Sequence, residues 1–292
     1  MSYIMQQLIN ALQLGSIYAL IALGYSMVYG VLRLINFAHG DLFMAGAIFG
    51  YFIALYLKLP FVATLILAMI IASCLGILIE KIAYRPLRHA PRMSLIVTAL
   101  GVSLFLENFT RATIGGQQRN FPQLMDVKYP SIGGVTVSSL TVLIIVVSIA
   151  LMLALRFIVQ NTMIGKAMRA VADNQESLVL MGISINTVIM ATFGIGSALA
   201  AAAGIFYGMA YPVVDPYMGA AIGWKAFIAA VMGGIGLVDG ALLGGFILGF
   251  VEIFAAALLP STFRDGITFA ILIIVLLLKP TGLLGQPVIK KV

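Results

Sequence analysis

Residues 156–186 read RFIVQNTMIGKAMRAVADNQESLVLMGISIN, a polar stretch set between long apolar runs. It carries Arg156, Lys166, Arg169, Asp173 and Glu176. Charged and unsatisfied backbone groups cost several kcal/mol each in lipid, so a membrane protein keeps such a segment at its surface. Residues 163–172 have the composition of a helix. Asp173, followed three residues later by Glu176, forms a capping box that predicts a second helix from Asn174. Gly182 is placed to end that helix in the left-handed conformation. The expectation is two short helices lying across the membrane surface, the second about two turns long. A solvated loop would share this composition. The sharper reading makes residues 159–186 a docking element for a cytoplasmic partner.

Composition places a membrane around this segment. The 292 residues are 62% hydrophobic and 9% charged, with a mean hydropathy of +1.12. Soluble domains carry about 25% charged residues. The chain therefore reads as an all-α polytopic membrane protein, one integral domain over 1–292 with no room for a large soluble one. The net charge of +7 is no sign of nucleic-acid binding, because the basic residues cluster in short loops between apolar runs. Cys74 is the only cysteine, so no intrachain disulfide can form. No cleavable signal is expected: nothing basic precedes the first apolar run, which is too long for a signal core.

A span needs about 20 apolar residues. Candidate runs lie at 4–32, 41–57, 61–83, 93–114, 140–158, 187–211, 221–237, 241–259 and 267–278. The count is eight or nine, since the last runs are short and broken by glycine. Lys81, Arg85, Arg88 and Arg92 follow the third run, and Lys279, Lys290 and Lys291 close the chain. With the 156–186 stretch, these regions are expected on the cytoplasmic side. Residues 115–139 should face outward. Nine crossings put the N-terminus outside and the basic C-terminus inside; eight would move one end.

Gly196, Ala200, Gly204 and Gly208 fall on one face of the sixth run, which lets a neighbouring backbone approach closely. The first two runs are separated by Leu34-Ile35-Asn36-Phe37-Ala38-His39-Gly40-Asp41. Asp41 sits where a helix dipole favours a carboxylate. An ordinary capped turn fits this spacing. So does a helix broken within the membrane, whose unwound backbone and half-helix N-terminus face a substrate cavity. A second candidate break, residues 233–240, occupies a comparable place in the C-terminal half. Tyr18 and Tyr25, seven residues apart on one helix face, would supply aromatic walls. The substrate-path candidates are thus Tyr18, Tyr25, Asn36, His39, Gly40 and Asp41. Glu107, Lys225 and Glu252 are further ionisable residues in or near spans; they should face protein or a wet cavity. Glu252 reads first as a packing or subunit-interface partner.

No Gly-x4-Gly-Lys-Ser/Thr occurs, so the chain has no phosphate-binding loop with which to hydrolyse ATP. Metal-binding His-Glu-x-x-His and Gly-x-Ser-x-Gly motifs are missing too. An intramembrane enzyme is poorly supported.

The run from Tyr18 through Gly24-Tyr25 to Tyr29-Gly30, followed by Ile35-Asn36-Phe37-Ala38-His39-Gly40, resembles the LivH-type permeases. These are membrane subunits of ABC importers for branched-chain amino acids. Further matches are Tyr84-Arg85-Pro86-Leu87-Arg88, Gly165-Lys166-Ala167-Met168-Arg169-Ala170, Leu180-Met181-Gly182-Ile183, Gly233-Gly234-Ile235-Gly236 and Lys279-Pro280-Thr281-Gly282-Leu283-Leu284-Gly285. Ser177-Leu178 depart from the small alanines of relatives. The resemblance implies a type II-like importer permease bundle in a bacterial or archaeal inner membrane. It also implies a second related permease, two cytoplasmic ATPase subunits that hold ATP and Mg, and a periplasmic or lipid-anchored binding protein. No cofactor is expected in the chain itself. The ATPases would dock at Gly165, Lys166, Arg169, Ala170, Asp173, Glu176 and Gly182, and their closure would tilt this coupling segment. Close relatives carry urea, amides or other amino acids, so the substrate stays open at this point. An ion-coupled secondary transporter or a purely structural subunit are readings from other classes.

Overall fold

The computed structural model describes residues 2–88, 90–132, 134–173 and 182–285. Helix α1 (Ser2–Leu32) leads to α2 (His39–Phe52), which a π turn, Ile53–Leu57, prolongs. Helix α3 (Phe61–Ile79) runs on through a π turn, Glu80–Tyr84, and a 3-10 turn, Arg85–Leu87. Then come α4 (Arg92–Ile114), α5 (Ser139–Asn161), α6 (Met163–Asp173), α7 (Ile185–Ala210), α8 (Met218–Gly233), α9 (Val238–Leu258) and α10 (Arg264–Leu278). Short strands clasp the outer loops: β1 (Arg119–Asn120) pairs antiparallel with β4 (Val213–Val214), and β2 (Ser131–Ile132) with β3 (Val135–Thr136).

Among the described residues seven helices are long and apolar enough to cross a membrane: α1, α2 with its π turn, α3 with its turns, α4, α5, α7 and α9. Helices α8 and α10 are shorter, at 16 and 15 residues, and run through the bundle beside α9. The nine predicted runs correspond to these nine helices. At one end of the bundle the Thr136 N–H donates to Gln6, and the Thr141 hydroxyl donates to Gln13. At the other, the Leu283 and Leu284 N–H groups donate to the Met232 and Gly233 carbonyls. The two ends of the described chain therefore lie at opposite ends of the bundle. An odd number of crossings requires this, which decides for nine over eight. Arg85, Arg88, Lys166, Arg169 and Lys279 gather at the second end, making it the cytoplasmic one.

Helix α1 is the axis. It has no polar face, and every residue from Leu14 to Val28 is buried, as an all-round apolar helix demands. Small residues bring its neighbours close. Gly245 backs directly onto Ala19 and Gly249 onto Gly15, joining α9 to α1. Gly46 meets Ala201, and Gly204 meets Phe43 and Ala47, joining α2 to α7. Van der Waals contact and backbone proximity replace a hydrophobic driving force that lipid does not supply.

The chain turns at Arg33, in the left-handed region with φ 55°, and climbs back as an irregular segment before α2 begins at His39. His39 lies against Gly24, eight residues before the end of α1, and near Gly196, well inside α7. Helix α2 thus starts within the bundle, as the broken-helix reading expects. The second predicted break is different. Residues 234–237 form a tight link at the cytoplasmic end, with Gly234 and Gly236 at positive φ (115° and 94°), packed on Gly30 and the Gly282–Gly285 region. It is a turn between helices and not an interruption at the level of His39, because α8 starts beside Gly40 and its 16 residues carry its end away to the cytoplasmic side.

Candidate translocation site and coupling surface

The polar break is buried on all sides by helices. Asn36, His39 and Asp41 are each only 1% exposed. Tyr84, from the end of α3, donates its hydroxyl to Asn36 Oδ1 at 2.6 Å. The His39 ring packs edge-on against Tyr25, with centroids 4.7 Å apart. Gly40 meets Gly219 and Gly223 of α8, where neither helix has a side chain to hold the backbones apart. Asn36 Nδ2, His39 Nε2 and Asp41 Oδ1 are buried with no hydrogen-bond partner among the described residues. Three orphaned polar atoms on one short segment are costly, about 1–3 kcal/mol each.

At the start of α2 the His39 N–H donates to the Asn36 carbonyl, and those of Asp41 and Leu42 donate to Ala38. The segment before α2 curls under its first turn and takes up these donors.

A cavity of about 280 Å³ opens beside the break, between α4 and α8. Tyr25, Phe37, Trp224 and Phe227 form its aromatic wall, and α4 contributes Ser103 and Glu107. Of the predicted path residues, Tyr25 lines this space directly. Asp41 reaches its edge, since a β-carbon on the lining residue Gly219 would lie 2.9 Å from Asp41 Oδ1. Tyr18 does not join the wall. Its hydroxyl donates to Glu252 Oε2 at 2.5 Å, inside a separate ionic cluster. There Lys225 and Arg264 each meet Glu252 Oε1 at 2.7 Å, and Lys225 also reaches Asp265 at 2.8 Å. Spacing of the sequence gives no hint of this cluster, which draws on α1, α8, α9 and α10.

At the cytoplasmic end, α6 buries Ala167, Met168 and Val171 and exposes Met163, Ile164 and Lys166; Ala170 is half-buried. Gly165 sits where a β-carbon would run into the carbonyl oxygens of Ile158 and Val159. Its N–H donates to the Thr162 hydroxyl at 3.2 Å, which caps α6. Arg169 is exposed, and its guanidinium donates to the Val159 carbonyl and, at 3.4 Å, to that of Gln160. It neutralises the end of α5. Asp173 is the last residue of α6. The predicted second helix, with Glu176, lies outside the described residues. Gly182 has φ +73°, the left-handed conformation in which a glycine ends a helix. Nearby, the fully buried Glu80 is paired with Arg85 at 3.0 Å and with Arg88, which also donates to Asn186 at 2.6 Å. Through Arg88, Glu80 ties the end of α3 to the start of α7.

Residues 7–276 match the family model described as branched-chain amino acid transport system / permease component. The chain is 40% identical to the high-affinity branched-chain amino acid transport system permease protein LivH of Escherichia coli K12, over 99% of this chain and 98% of that one. Identity to BraD of Pseudomonas aeruginosa, named for the same system, is 41% with the same coverage. A probable branched-chain amino acid permease of Methanocaldococcus jannaschii is 28% identical over 94% of this chain and 91% of its own. No solved structure matches. With a broken-helix bundle and a family match along nearly its whole length, the chain belongs to the branched-chain amino acid transport system permease family and is a multi-pass inner-membrane permease.

Proposed function

We propose that the chain is one of two permease subunits of an ATP-driven importer for branched-chain amino acids. The route passes the break at Asn36–Asp41. The observation that carries this reading is the set of orphaned atoms on Asn36, His39 and Asp41 next to an aromatic cavity midway through the bundle. An aromatic wall suits a branched apolar side chain, and the polar atoms suit the charged end of an amino acid. The second permease closes the open side of the cavity, where Leu104 and Trp224 are exposed beside Glu107. A carboxylate is not left facing lipid. Hydrolysis belongs to two separate ATPase subunits that bind ATP and Mg, for no phosphate-binding loop exists in this chain. They dock on α6 and the segment after it, and a binding protein outside the membrane delivers the ligand. Gly165, Lys166, Arg169, Ala170, Asp173, Glu176 and Gly182 remain the proposed docking set.

The test is reconstitution of the complete assembly in proteoliposomes with leucine outside and ATP supplied to the ATPase side. Leucine uptake that requires ATP, the binding protein and both permeases supports the reading. Uptake by the permease pair alone, driven by an ion gradient, would replace it with secondary transport.

A further inference from the structure

We infer that Asp41 and Glu107 form a recognition site for the ammonium group of the transported molecule, so that the route selects amino acids over urea or neutral amides. This deepens the proposed function and rests on it. Asp41 is buried, and its Oδ1 has no partner among the described residues. Two residues beside it, Gly219 and Ser103, line the cavity between α4 and α8, as does Glu107. Glu107 and Asp41 thus border the same space, Glu107 from α4 and Asp41 past Gly219. Among the described residues neither carboxylate is paired with a lysine or arginine: Lys225 is held by Glu252 and Asp265, and Arg156 is held by Asp239. Arg111, one turn along α4 from Glu107, donates to the Tyr217 hydroxyl at 3.2 Å.

A buried carboxylate oxygen without a hydrogen-bond partner is costly, and an ammonium held between Asp41 and Glu107 would supply one. The walls fit the same guest. Trp224 and Phe227 lie with ring centroids 6.1 Å apart in a T-shaped pair, and Tyr25 and Phe37 stand on either side. Aromatic faces attract ammonium groups, while a branched alkyl chain packs on what remains of the wall. Urea and amides bring no cation and would leave the acids unpaired. Arg111 at the outer mouth supplies the matching charge for a carboxylate as a zwitterion enters.

The experiment uses the complete transporter in proteoliposomes, with leucine uptake and ATP hydrolysis measured together. Glu107→Gln is expected to lower leucine uptake about tenfold while hydrolysis persists, so that the ATP spent per leucine rises, and Glu107→Asp restores most of the uptake. Unchanged uptake in the glutamine variant overturns the inference. If that variant does not assemble, Trp224→Leu decides the matter: it is expected to cut uptake several-fold, and normal uptake counts against the ammonium site. Failure of the parent complex to import leucine at all would instead remove the proposed function, and is read in the same assay before any variant.

Discussion

The imidazole of His39 occupies the space in which a side chain on Gly24 would stand: a β-carbon there would overlap Nε2 and Cε1 of the ring. The same β-carbon would come within 3.1 Å of the Gly196 carbonyl. Gly24 is therefore the floor on which the start of α2 rests, and it also sets how closely α1 and α7 approach.

Gly24→Ala should displace His39 without removing it. Overpacking of this kind costs about 1–3 kcal/mol, and the ring it would push is only 1% exposed. We expect a lower unfolding temperature in detergent and leucine uptake reduced at least tenfold. Uptake matching the parent protein would mean that the ring is free to move aside and that its position is not critical.

Asn36→Ala and His39→Ala should each reduce transport by roughly tenfold, about 1.4 kcal/mol in barrier terms, with the ATPase subunits still associated. Tyr84→Phe is the control, since it removes only the donor to Asn36 Oδ1. A net hydrogen bond is worth about 1 kcal/mol, so its effect should fall mainly on thermal stability. Equal transport in all of these variants and the parent would take the break off the route.

Glu80 lies fully buried between two arginines. Removing one member of a buried ionic group leaves the remaining charge uncompensated, at about 3–5 kcal/mol. Glu80→Ala is expected to destabilise the fold sharply. Adding Arg88→Met should recover part of the loss, because the stranded cation then disappears. A double variant no more stable than the single one, followed by thermal unfolding, would show that Arg88 is free to reach water once unpaired.

Among the described residues nothing lies within 4 Å of where a β-carbon on Gly182 would stand, so a substitution there tests conformation more than packing. A β-branched residue in the left-handed region costs about 1–2 kcal/mol. Gly182→Val should redirect the segment before α7 and weaken co-purification of the ATPase subunits, or uncouple hydrolysis from uptake, while the permease still inserts. Full association and tight coupling in the folded variant would separate this residue from docking.

Helices and their ends were legible in the sequence wherever apolar length or small-residue spacing decides the outcome. The nine runs and the Gly-rich face of α7 follow from such patterns; at residues 34–41 the spacing fits a capped turn as well as a broken helix, and the packing of His39 on Gly24 decides between them. The failures share another cause. Tyr18 and Tyr25 do share a face of α1, but α9 brings Glu252 to one of them and α2 brings His39 to the other, so spacing alone could not assign their partners. The glycines of 233–240 look like those of a broken helix, yet the length of α8 sets them at the cytoplasmic end. The cluster of Lys225, Glu252, Arg264 and Asp265 depends on how three helices cross, and no local pattern encodes a crossing.

The corner between α5 and α6 is stiff. With the Ile158 and Val159 carbonyls filling the room beside Gly165, Thr162 holding the first turn and Arg169 clamping the end of α5, the two helices meet at an elbow without slack. A push on Met163 or Ile164 cannot be absorbed by bending there, so it acts on α5 as torque on a lever. Helix α5 leans on α1, the axis of the bundle. Under the proposed docking, a sideways load at the membrane surface would reach the interior as rotation of α5, its stroke at α1 set by the length of that helix and not by the softness of a hinge.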